Sequence, residues 1–259
     1  MDYFLFGIYP YIATAVLLVG SIARYERDPF TWKTSSSQFL RRKQLIWGSI
    51  LFHVGVLIIF FGHLIGLLTP LWVFDLLGVT HGAKQLLAVV LGGFAGVMAL
   101  VGGGMLFHRR WTDPRIRKTS SFADIAILVL LLVQLVLGLG TIFVSAQHLD
   151  GHEMTKFMAW AQGIATFQPG AAAAIADSAL IFKLHIFLGL TIFLVFPFTR
   201  LVHMLSIPIR YVTLRPGYQI VRSRRTRPLA EGERARDRVA RPTPAKAPAA
   251  AAARPEPGE

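Results

Sequence analysis

The stretch LFHVGVLIIFFGHLIGLLTP, residues 51–70, places His53 and His63 in a run otherwise apolar enough to lie in lipid. A polar ring in hydrocarbon costs several kcal/mol unless its nitrogens find partners, and ionisable groups at such depth face the interior of a bundle. What satisfies these two imidazoles decides the function. What surrounds them decides the fold.

The run is one of five apolar segments, 4–23, 45–68, 85–107, 123–146 and 179–205. Each has the length, about 20 residues, that a helix needs to cross a hydrocarbon core of roughly 30 Å. With 54 % hydrophobic and only 16 % charged residues, the composition excludes an ordinary soluble domain. The sequence therefore predicts an all-α integral membrane bundle of five transmembrane helices. No cleavable signal peptide is expected, because Arg24 and Arg27 follow the first apolar run instead of leading it. Two domains are expected: a five-span unit over 1–224, and a disordered basic tail over 225–259 that is rich in Ala, Pro and Arg and has too few large apolar side chains for a core.

Charge placement sets the expected orientation. Arg24, Arg27, Lys33, Arg41, Arg42 and Lys43 follow the first span, Arg109, Arg110, Arg115, Arg117 and Lys118 follow the third, and the tail is more basic still. The other two connections are sparse in Lys and Arg, so the N-terminus is predicted outside and the C-terminus cytoplasmic. The net charge of +13 is mostly this asymmetry, and no aromatic-interleaved basic face accompanies it to indicate nucleic acid. With no cysteine, the chain cannot hold a thiolate-ligated iron–sulfur cluster, a disulfide or a covalently attached haem.

On antiparallel spans two and five the histidines pair by level. His63 lies about 15 Å along the helix axis beyond His53, and His203 about 27 Å beyond His185. His63 is thus expected opposite His185 in the outer half, and His53 opposite His203 in the inner half. Two neutral imidazoles from facing helices can fill both axial positions of a b-type haem. Two such haems would be separated by roughly 21 Å of helix rise. Gly55, Gly62, Gly66 and Gly189, with LGGFAGVMALVGGG in span three, offer places where a porphyrin could approach backbone; small-residue helix packing is the competing explanation. A haem-free anchor or transporter, with the histidines as bundle hydrogen bonds or a proton relay, is the alternative, although no inverted repeat supports a transporter. In QHLDGHE, His148 and His152 have helical spacing but too few further ligands for a metal site, and EMTKFMAWAQGIATF reads as an interfacial segment.

Several separate stretches carry a resemblance: IYPYIA, SSSQFLRRK, LFHVG, GHLIGLLTPLW, SAQHLDGHEM with WAQ, and FPFTRLVHMLSIP. Over nearly all of residues 1–222 the chain resembles the gamma, or cytochrome b, subunit of membrane-bound respiratory nitrate reductase. The resemblance implies a multi-pass protein of the bacterial or archaeal cytoplasmic (inner) membrane with two haem b groups. It implies His63 and His185 as axial iron ligands of the outer, distal haem, and His53 and His203 as those of the inner, proximal haem. Lys84 matches the family's quinol-site lysine, and Gly62 lies beside His63 on the same rim. Arg110 matches an arginine placed to meet haem propionates, an inside-positive anchor being the other explanation. The implied activity is quinol oxidation near the outer face. Electrons would pass by way of the two haems to a cytoplasmic iron–sulfur (beta) subunit and then a molybdenum (alpha) subunit that reduces nitrate to nitrite. A related di-haem quinol-oxidising subunit serving another cytoplasmic reductase is the alternative within this class. The tail extends beyond the resemblance.

Overall fold

A computed structural model of the chain describes residues 2–32, 40–147 and 150–206. Residues 33–39 of the first connection, His148, and the stretch 207–259, which includes the whole expected tail, lie outside them. Helix is the only regular secondary structure among the described residues, with no strand among them. A π-helical turn, Phe4–Ile8, leads into α1, Tyr9–Arg27. Then come α2, Arg42–Leu68; α3, Leu71–Leu76; α4, His81–Thr112; α5, Pro114–Lys118; α6, Phe122–Ser145; α7, His152–Ala165; and α8, Leu180–Val195. Five helical stretches have the length and apolarity to cross a membrane: Phe4–Arg27, Arg42–Leu68, His81–Thr112, Phe122–Ser145 and Leu180–Phe198.

The predicted five-helix bundle is thus present. Most spans extend past their apolar runs because local capping continues the helix into polar sequence. The Thr80 hydroxyl accepts from the Ala83 amide to start α4, and Ser121 with Asp124 forms a reciprocal capping box at the start of α6.

Span five departs from expectation. It was predicted as one helix over 179–205, but α8 stops at Val195 and the chain continues as two 3₁₀ segments, Phe196–Phe198 and Arg200–Leu205. Pro197 has no amide hydrogen, and its ring clashes with the carbonyl four residues earlier, which kinks or breaks an α-helix. The carbonyls freed by this break need donors if they lie in lipid. Arg24 of α1 supplies them: its guanidinium donates to Pro197 O at 2.8 Å and to Thr199 O at 2.7 Å. Gly20, one turn earlier, makes room, since a Cβ there would lie 2.8 Å from Pro197 Cγ. The His185-to-His203 rise expected for an unbroken helix therefore does not apply.

The spans pack in an arc: α2 on α4, α4 on α6, α6 on α8, and α8 on α1. The α2–α4 contact is built on small residues. A Cβ on Gly55 would come 2.6 Å from Ala95 O, and one on Gly102 would strike the backbone of Phe52. Gly55, Gly96, Gly102 and Gly103 thus serve helix packing, while Gly92 and Gly104 of the span-three run face open space. Gly62 and Gly66 likewise differ from Gly55, because nothing lies within 4 Å of where a Cβ would stand on either.

One end of the bundle is closed by α7 and the 3₁₀ segment Ala171–Ile175. The expected interfacial segment is here a cap with its apolar side on protein. Trp160 is buried and donates from its indole to Phe6 O at 2.9 Å. Gln162 donates to Leu67 O and Thr69 O, satisfying carbonyls at the end of α2. On its polar side, Lys156 bridges Glu153 and Asp177 at 2.9 and 3.0 Å.

Candidate functional site

Of the four histidines, His53 and His63 lie on α2, His185 on α8 and His203 on the 3₁₀ segment that follows it; α2 and α8 are not neighbours in the packed arc. Across the space between these elements they meet as two pairs. His63 and His185 have ring centroids 6.2 Å apart with planes at 42°, and His53 and His203 have centroids 6.2 Å apart with planes at 71°. The level-by-level pairing read from sequence is the pairing in the structure.

The spacing fits a shared metal. A metal–imidazole nitrogen bond is about 2 Å. With the ring centroid about 1 Å beyond the nitrogen, two imidazoles on opposite sides of one metal place their centroids about 6 Å apart. Two imidazoles hydrogen-bonded directly to each other would be closer, and neither pair has that bond among the described residues.

The rings are also committed on the correct side. His53 Nδ1 lies 2.7 Å from Ser49 O, His63 Nδ1 2.8 Å from Ile59 O, and His203 Nδ1 2.5 Å from Arg200 O. A carbonyl can only accept, so each Nδ1 donates its hydrogen and Nε2 keeps a lone pair. This is the tautomer and support that metal-ligating histidines use. The residues present therefore fit axial ligation of two haem groups. The open space beside Gly62 and Gly66 adds room next to His63.

His185 is held differently, and its partner was missed at the level of sequence. Its Nδ1 is buried with no partner, while Gln134 of α6 donates to its backbone carbonyl at 3.1 Å and lies 3.4 Å from its Nε2. The signal was available: Gln134 is a polar residue in the otherwise apolar run LVLLLVQLVLGLG, and it needs a partner as much as a histidine does.

Lys84 stands at the capped end, at the start of α4. It is buried, not snorkelling, with 7 % of its surface exposed. Its Nζ is 2.7 Å from Met158 Sδ of α7 and 3.7 Å from the centroid of the Phe74 ring of α3. Among the described residues it has no carboxylate partner and no contact with the His63 ring. A thioether and an aromatic face stabilise an ammonium weakly, so its donors are available to an added oxygen.

At the opposite end Arg110 donates to the Ser120 hydroxyl at 2.8 Å, and its guanidinium is 3.9 Å from Asp124. Arg200 approaches the same carboxylate at 3.6 Å. Both guanidiniums approach this one carboxylate, beside the backbone that holds His203. The His148–His152 spacing lies partly outside the described residues, among which no group of three or more His, Asp or Glu side chains gathers.

Fold and site together define a polytopic α-helical membrane protein with two stacked pairs of intramembrane histidines suited to metal ligation. The chain belongs to the nitrate reductase gamma subunit family, whose sequence model matches residues 2–224. It is 51 % identical to the respiratory nitrate reductase 2 gamma chain of Escherichia coli K12, over 87 % of this chain and 98 % of that one. It is 49 % identical to the respiratory nitrate reductase 1 gamma chain of the same organism, over 86 % and 98 %. Identity to the nitrate reductase gamma chain of Bacillus subtilis 168 is 39 %, over 85 % and 97 %.

Proposed function

We propose that this chain is the membrane cytochrome b subunit of a respiratory nitrate reductase, oxidising quinol near the outer face and delivering its electrons to cytoplasmic partner subunits. The observation that carries the reading is the pair of histidine couples at one ring spacing, with Nδ1 tied to a carbonyl in three of the four rings. Family membership supports nitrate as the terminal acceptor and a bacterial inner membrane as the location.

His63 and His185 would hold the outer haem, and His53 and His203 the inner one. Bound there, haem iron supplies reversible one-electron chemistry. The chain's own residues do the rest. The Lys84 ammonium offers donors to a quinol oxygen and lowers the cost of negative charge developing there as the hydroxyl loses its proton. Phe74 and Met158 hold that ammonium from the apolar side. Gly62, with no neighbour where its Cβ would be, leaves the rim beside His63 open to a flat ring. At the other end Arg110 and Arg200 provide positive charge for carboxylates of the inner haem. A thiolate-ligated iron–sulfur cluster would then reside on another subunit, since the sequence has no cysteine, and the molybdenum site belongs in this reading to a further partner.

Addition of a reduced quinone analogue to membranes containing the protein tests the reading. A b-type absorbance should rise without any other reductant. Absence of b-type bands even with a strong chemical reductant would overturn it.

A further inference from the structure

Helix α6 supplies no histidine, yet it meets α8 at His185 in a reciprocal arrangement. Gln134 lies against Gly189, where a Cβ would be 3.2 Å from the amide Nε2. His185 lies against Gly138, where a Cβ would be 2.9 Å from the ring Cε1. Each polar side chain therefore occupies the space over the other helix's glycine, one helical turn from the other helix's polar residue. Two polar atoms in this contact are buried without partners, Gln134 Oε1 and His185 Nδ1. One accepts hydrogen bonds and the other can donate. His185 is also the single intramembrane histidine of the four whose Nδ1 has no backbone carbonyl.

We propose that Gln134 is the positioning residue of His185: its Nε2 holds the His185 carbonyl, and its Oε1 accepts the Nδ1 hydrogen. The joining movement is a rotation of the imidazole about its Cβ–Cγ bond, with both helices in place. It satisfies both orphaned atoms and releases Nε2 from the 3.4 Å hydrogen bond that it accepts from the Gln134 amide, so that its lone pair is free. A neighbouring helix thereby does for His185 what Ser49 O, Ile59 O and Arg200 O do for the other three. An amide oxygen on a side chain can be replaced, whereas a backbone carbonyl cannot, so the outer site alone is open to tuning by substitution at this position. The strength of the acceptor on Nδ1 sets the electron donation of Nε2 and hence the reduction potential of the bound group.

This inference rests on the haem reading above. The test is a redox titration of the complete complex, followed optically and by low-spin ferric EPR, for wild type, Gln134→Leu and Gln134→Glu. Gln134→Leu should shift the midpoint of the outer haem positive and change its EPR signature, or release that haem alone. Gln134→Glu, which retains and strengthens the acceptor, should keep the haem and shift its midpoint negative. The inner haem should keep wild-type values in both. Outer-haem values unchanged in both variants would overturn the proposal, as would equal changes at the two haems. Absence of b-type bands in the wild type would instead overturn the underlying haem reading.

Discussion

The two histidine pairs have the same ring spacing and the same chemistry but are supported by different means. In each, one ring comes from α2 and is tied to the carbonyl one turn earlier. The other ring comes from the last span, and there the sites diverge. His185 sits in regular helix and leans on a side chain of α6. His203 sits in a 3₁₀ segment beyond Pro197, whose broken backbone is held by Arg24 and Gly20 of α1. A common support, α2, thus carries one ring of each pair, while two separate helices, α6 and α1, brace the elements that carry the other two. Changes in α2 should move both sites, and changes in α6 or α1 only one.

The strongest challenge to this division is Gly102→Val. Its side chain would enter the backbone of α2 at Phe52, so both pairs should fail together, seen as loss of membrane accumulation and of all b-type absorbance. Overpacking of this kind costs about 1–3 kcal/mol or more. Survival of either haem would show that α2 is not their common support. Next in size is Lys84→Gln, which removes a charge at the capped end without touching either pair. Quinol turnover should fall on the order of 10²-fold, the scale of lost proton-transfer assistance, with both haem signals retained. Pro197→Ala should then allow α8 to continue toward His203. The inner haem's EPR signature should shift while the outer one does not, and a shift at the outer site would undo the separation.

The smallest effect concerns the cap. The hydrogen bond from Lys156 holds the Asp177 carboxyl below its ordinary value of 3.8, with the Lys156 charge adding to it. A depressed carboxyl contributes stability that is present above its unfolded value and lost as pH falls through its folded one. The clasp should therefore loosen only below about pH 4. Asp177 is 70 % exposed, so the contribution is minor. Hydrogen exchange of the α7 amides should rise slightly in Asp177→Asn at neutral pH, and by less in high salt, where this exposed pair is already screened. Unchanged exchange would assign no role to the clasp.

Much of this was legible in the sequence because membrane helices obey strict rules. Backbone groups must be paired internally, so apolar length alone marks the five spans, and antiparallel spans with two histidines each pair by depth. The break at Pro197 was also written there and was overlooked, because apolarity continues through FPF even though the helix does not. Glycines were harder to assign. Gly55 and Gly62 share a helix and an apolar setting, but one faces Ala95 and Ala99 and the other faces open space. Only the arc of packed helices separates them. Lys84 illustrates the same limit, since its depth and its contact with Met158 depend on α7 folding back as a cap.

The central claim is that two haems are held, one by each histidine pair. The most direct measurement is the reduced-minus-oxidised spectrum and redox titration of His185→Ala and His203→Ala beside the wild type. Two b-type components are expected in the wild type, with His185→Ala losing the outer one together with quinol oxidation and His203→Ala losing the inner one. Equal loss of both components in either variant, or a single component in the wild type, would contradict it.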